Sequence, residues 1–212
     1  VCAERGMALV AVREIPAGPK FGGSDDCGGG WKAPKAEVSG AKAVDAADVA
    51  AACDDGDERA VYGAAAALER MAAASAKEAP RVWTRFHSSR APSVAVGAYL
   101  LRLRNLFNCS PACFILAMVF IDRVQQKHPN LTVCPLTCHR LLAAGVTIAA
   151  KFHDDCFHSN TYYGKVCGIT VRELNVLEET MLRLLDYRLV VSPEQYEAYR
   201  SLLKQAAPHR VP

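Results

Sequence analysis

The sequence predicts an all-α fold, and three observations carry that expectation. Residues 111–121 and 141–150 are long apolar runs that read as core helices, since both fall short of the ~18–20 residues needed to span a bilayer. Helix-start signals recur ahead of stripes with a 3.6-residue period. No strand alternation or β-hairpin signal competes.

Residues 1–56 are rich in Ala, Gly and Asp, with GGSDDCGGG at 22–30. They show little apolar periodicity and read as a low-complexity, disordered extension. Residues 57–80 form a helical N-terminal segment. It is alanine-rich over 57–77, with Leu68 and Met71 among flanking charges, and suits a weakly amphipathic helix docked on the domain or on a partner.

The folded core spans 81–207 and holds five further helices, followed by a tail at 208–212. Ser93 is placed to cap the first, whose stripe is Val96, Tyr99, Leu100, Leu103, Leu106 and Phe107. Ser110 with Pro111 opens the second, to about Gln126. Thr137 opens the third, to about Phe152. Thr170 and Glu173 form a capping box for the fourth, with Leu174, Leu177, Met181, Leu184 and Leu185 on one face. Ser192, Pro193 and Gln195 repeat the device for the fifth, with Tyr196, Tyr199 and Leu203 inward. The second and third are apolar on nearly all sides, so the others should surround them. Gly145 and the neighbouring alanines suit close backbone approach.

The 212 residues suit one domain plus an extension, and 51% hydrophobic content is enough for a core. A net charge of +3 without a clustered basic face gives no expectation of nucleic-acid or membrane binding. Nothing near the start has the layout of a signal peptide. The chain opens at Val1 and not at Met, as a fragment would. Nine cysteines, several inside apolar helical patterns, suit reduced thiols of an intracellular protein, cytoplasmic or nuclear. His153, Cys156, His158 and Cys167 match no standard zinc spacing, and no orienting group marks a Cys–His nucleophile. No metal, cofactor or enzymatic activity is therefore expected.

Three segments in order carry a resemblance: FILAMVFIDR at 114–123, RLLAAGVTIAAKFHDD at 140–155 and NTYYGKVCGITVRELNVLE at 160–178. They resemble the cyclin box, and more narrowly the P/U-type, phosphate-regulon-like cyclins. The lysine–phenylalanine segment with its two aspartates, the asparagine–tyrosine–tyrosine stretch, the glycine-containing connector, Phe86 with His87, and Pro92 all belong to that likeness, which covers about residues 84–204. It implies a five-helix cyclin box behind the additional N-terminal helix. It also implies a regulatory subunit that forms a heterodimer with a cyclin-dependent protein kinase and activates it.

The resemblance carries two residues over individually. Lys151 and Glu178 match the lysine and glutamate that hold the kinase's regulatory helix in the active position. Phe152, Asp154, Asp155, Tyr162 and Tyr163 join them as expected kinase contacts, although the tyrosines suit a core role equally. Taken alone, Lys151 is a helix C-terminal cation and Glu178 a solvated carboxylate. Asp122 matches an aspartate that pairs with an arginine of the first box helix, and Arg102 is the best-placed partner. The first box helix, YLLRLRNLF, lacks the substrate-docking motif of mitotic cyclins, and a second box is missing. The alternative is the same fold serving as a nucleic-acid or transcription-factor module, which would want a basic face and two repeats.

Overall fold

The two apolar runs form the buried centre of the chain. The computed structural model describes residues 56–76 and 82–208. Among these lie seven helices and no strand: α1 Gly56–Ala74, α2 Val96–Leu106, α3 Ala112–Lys127, α4 Cys138–His153, α5 Asn160–Cys167, α6 Val171–Leu184 and α7 Pro193–Ala206. The expected disordered extension falls, but for Gly56, outside the described residues, as does most of the expected tail.

In α3 every residue from 113 to 122 is buried, and in α4 every residue from 141 to 150. A Cβ built on Gly145 would meet the Ala117 Cβ at 3.2 Å and its carbonyl oxygen at 3.4 Å. The two helices thus touch nearly backbone to backbone, and a larger residue at Gly145 would force them apart.

The alanine-rich segment does form a helix, and it docks on the domain. Ala60, Val61, Ala64 and Leu68 are buried at helical spacing. α1 packs mainly against α7 and also touches α2 and α3. A Cβ on Gly63 would overlap the Leu203 carbonyl of α7. Asp57 pairs with Arg200 and Glu58 with Arg104, and Arg59 donates to the Lys204 carbonyl at 3.4 Å.

One expected cap is replaced by a distant side chain, and one expected cap residue is itself held by a distant carboxylate. α2 starts at Val96, beyond Ser93, and its N-cap Ala95 has no side-chain bond. Glu69 of α1 instead accepts the Gly97 N–H at 2.9 Å. At α3 the Asp154 carboxylate, from the end of α4, accepts from both the N–H and the hydroxyl of Ser110, each at 2.7 Å. The Gly97 N–H lies in the first turn of α2, where N–H groups lack intrahelical partners, whereas the Ser110 N–H lies ahead of the N-cap Pro111, so Asp154 ties the end of α4 to the turn before α3. Both contacts are tertiary.

The caps of the last two helices are local. The Thr170 hydroxyl accepts the Glu173 N–H at 3.1 Å, and Ser192 accepts that of Gln195 at 3.2 Å. Glu173 does not close its box; its carboxylate pairs with Arg140 of α4. Thr137 precedes α4 as expected, yet its hydroxyl accepts the Cys134 N–H at 2.9 Å and donates to the Thr132 carbonyl at 2.7 Å, closing the turn before the helix.

Two details differ from the sequence reading. The connection between α4 and α6 contains the short helix α5, ended by Gly168 in the left-handed region at φ 73°. Leu106 is 45% exposed, because the last turn of α2 runs past the core and Phe107 takes the inward position.

Candidate functional site

The site is built where α4 ends, α5 begins and α6 passes alongside. α4 stops because Asp154 turns extended, at φ −90° and ψ 141°, and spends its carboxylate on Ser110. Lys151 and His153 occupy the last turn, where cations suit the negative end of the helix dipole. The Lys151 ammonium donates to both oxygens of Glu178 in α6, at 2.8 and 3.0 Å. The pair is partly open to solvent, with side chains 29% and 14% exposed.

Asn160, the first residue of α5, completes the arrangement. Its amide donates to Glu178 at 2.7 Å and to the Asn175 side chain at 2.7 Å. Sequence reasoning missed Asn160 as a member because it did not see α5. Ser159 ahead of a short helical stretch was the available signal, and its side chain makes no cap bond.

Phe152, which follows Lys151 in the chain, is one wall of a groove of about 320 Å³ lined also by Leu116, Leu189, Val190, Val191 and Tyr196, with polar residues at its margin. Phe152 is half exposed and Val190 largely so. Arg123 fixes the far wall by donating to the carbonyls of Arg188 and Val190 at 2.9 and 3.0 Å and to the Gln195 side chain at 2.6 Å. Burial holds its guanidinium below the usual arginine range.

The remaining expected contacts divide. Asp155 is exposed and Asp154 is tied to Ser110. Tyr162 is 37% exposed, with its hydroxyl donating to the Leu106 carbonyl at 2.6 Å. Tyr163 corrects the list of surface contacts. It is fully buried and stacked on Phe107 at 4.3 Å, and its hydroxyl accepts the His158 N–H at 3.0 Å. Burial pushes that hydroxyl up to about 12. Adjacent residues on a helix point about 100° apart, and on this short helix Tyr163 takes the direction of Phe107 while Tyr162 lies toward the edge.

The Asp122–Arg102 pair is also corrected. Asp122 accepts from the Tyr199 hydroxyl of α7 and from Gln126 at 2.7 Å. Arg102 points away, donating to the Lys165 carbonyl at 3.4 Å. The aspartate lies on the α7 side of α3, and Arg102 faces α5. Burial raises the Asp122 carboxyl above its ordinary value, although the two hydrogen bonds oppose that shift.

No helix among the described residues is long and apolar enough to cross a membrane. His153, Cys156, His158 and Cys167 form no metal-ligating group there; the one such group is Cys109, Cys113 and Asp154.

A cyclin family model matches residues 42–189, which takes in α1 as well as the helices through α6. Cyclin-U1-1 of Arabidopsis thaliana is 45% identical over 114 residues, 54% of this chain and 54% of that protein. Cyclin-U4-1 of the same plant is 41% identical over 120 residues, 57% and 59% of the two chains. Cyclin-P3-1 of Oryza sativa subsp. japonica is 41% identical over 116 residues, 55% and 49%. The matched part spans about half the length of these relatives. With the all-helical fold around a buried pair, a match over most of its length places the chain in the cyclin family, with its likeness to the plant U- and P-type members.

Proposed function

We propose that this chain is a regulatory subunit that binds a cyclin-dependent protein kinase and holds the kinase's regulatory helix in its active position. The observation that carries the reading is the partly open Lys151–Glu178 pair, whose lysine is followed by Phe152, a wall of the open groove that Val190 also edges. A helix laid against this end would meet an apolar slot for its side chains. It would also meet a lysine with spare donor capacity and a carboxylate already oriented by Asn160. Binding that favours the inward helix shifts the kinase population by its differential affinity. Phe152, Asp155 and Tyr162 are the further contacts proposed, as exposed groups around the pair. Asp154 acts through the end of α4, which it anchors.

The test is capture of the tagged chain from its own cells, mass identification of the kinase, and phosphorylation assays with and without the exchange of Lys151→Glu and Glu178→Lys. The exchange preserves an internal ion pair while reversing the field a partner meets. Kinase activation should fall about tenfold or more. Full activation by the exchanged protein would remove these two residues from the mechanism.

A further inference from the structure

Cys109 and Cys113 flank Ser110 at the start of α3, and Asp154 reaches the same point from the end of α4. One ligand atom from each lies within 4.8 Å of the other two. Both Ser110 bonds grip the carboxylate, at 2.7 Å each, and the Ser110 hydroxyl is 3.5 Å from the Cys113 sulfur. Cys113 is fully buried, Cys109 is 8% exposed, and Asp154 is partly buried.

This arrangement has a clear chemical preference. Thiolates are soft ligands for d10 cations, and a Cys-x₃-Cys spacing lies within the range of zinc ligand pairs. A dication here would draw the protons off the two buried sulfurs and face an anionic carboxylate at the same point. The first turn of α3 adds the positive end of a helix dipole to an anionic ligand set.

We propose that Cys109, Cys113 and Asp154 form a binding site for a thiophilic d10 dication, Zn²⁺, with water as the fourth ligand at the Cys109 edge. The ion would clamp the α2–α3 corner to the end of α4, three residues beyond Lys151. The sequence reading expected no metal and considered a different cluster. The pairing of Cys109 and Cys113 with Asp154 spans a separation that spacing alone does not reveal.

The experiment is titration of the reduced, metal-stripped chain with Zn²⁺ and Co²⁺ against a competing chelator. One equivalent should bind, the Co²⁺ form should show thiolate-to-cobalt charge transfer, and Zn²⁺ should raise the thermal midpoint. Cys109→Ser and the Cys109→Ser/Cys113→Ser double variant should lose affinity by more than the ~10–100-fold that removal of an outer-shell partner brings. Cys156→Ala/His158→Ala should bind as the parent does. Because Cys113 is in the core, circular dichroism checks folding, and Cys109→Ser, at the edge, carries the result if the double variant unfolds. The proposal is overturned by no Zn²⁺ binding in the parent, by undiminished binding in Cys109→Ser, or by a Cys109–Cys113 disulfide in a chain whose reduced form ignores metal.

Discussion

The seam where α7 meets α1 and α3 is closed, and the end where α4 meets α6 is open. Both hold a carboxylate with two donors. At the seam, Asp122 is 6% exposed and both donors, Tyr199 and Gln126, are uncharged. At the open end, Glu178 has Lys151 and Asn160, and the lysine stays accessible. The first network is consumed in joining two helices. The second leaves charge and donor capacity facing outward, so burial, more than residue type, separates a strut from the proposed docking point.

Substitutions can break that contrast in order of severity. Gly63→Ala at the seam should destabilise most, by about 3 kcal/mol in denaturant melts, because the new Cβ meets backbone and not a movable side chain. An unchanged melt would mean that α1 is not held against α7.

Asp122→Ala should cost about 2 kcal/mol by orphaning the Tyr199 hydroxyl inside the protein. The pH dependence sharpens the point. Burial raises the folded carboxyl above its ordinary 3.8, so the native state retains its proton to higher pH than the unfolded chain. The associated stability is fully present below that ordinary value and is lost as pH rises through the folded value. Measured against Asp122→Asn, the parent should therefore do best in acid and lose ground toward neutrality. The opposite slope would mean that the hydrogen bonds outweigh desolvation.

Thr170→Ala removes the cap of α6, the helix bearing Glu178, and should cost about 1 kcal/mol. Hydrogen exchange should show that loss in the first turn of α6. The smallest effect on stability belongs to the exchange of Lys151 with Glu178, within about 0.5 kcal/mol by thermal melt, since an internal pair survives in a partly solvated place. A large loss of stability there would make the open end a strut like the seam.

The legibility of the sequence followed the range of the interactions. The caps at Thr170 and Ser192 were readable because donor and acceptor lie three residues apart. Ser93 misled because Glu69, which serves that helix start, comes from elsewhere in the chain, and Ser110 because it stands ahead of the N-cap Pro111 with its hydroxyl given to the distant Asp154. Lys151 and Glu178 were selected by resemblance, and the structure brings them within hydrogen-bonding distance. Asn160 and Arg123 stayed hidden because their partners are set by how helices cross.

Apolar periodicity by itself determined that the described residues build a helical fold with α3 and α4 at its centre, since a helix apolar on all sides has nowhere else to go. Tertiary structure decided which neighbour each polar group found: Tyr199 for Asp122, Ser110 for Asp154, and an inward rather than outward face for Tyr163. Hydrophobic burial depends on the pattern along one helix and is written locally. A hydrogen bond depends on direction and on a few ångströms between helices, and those are defined only once the helices pack.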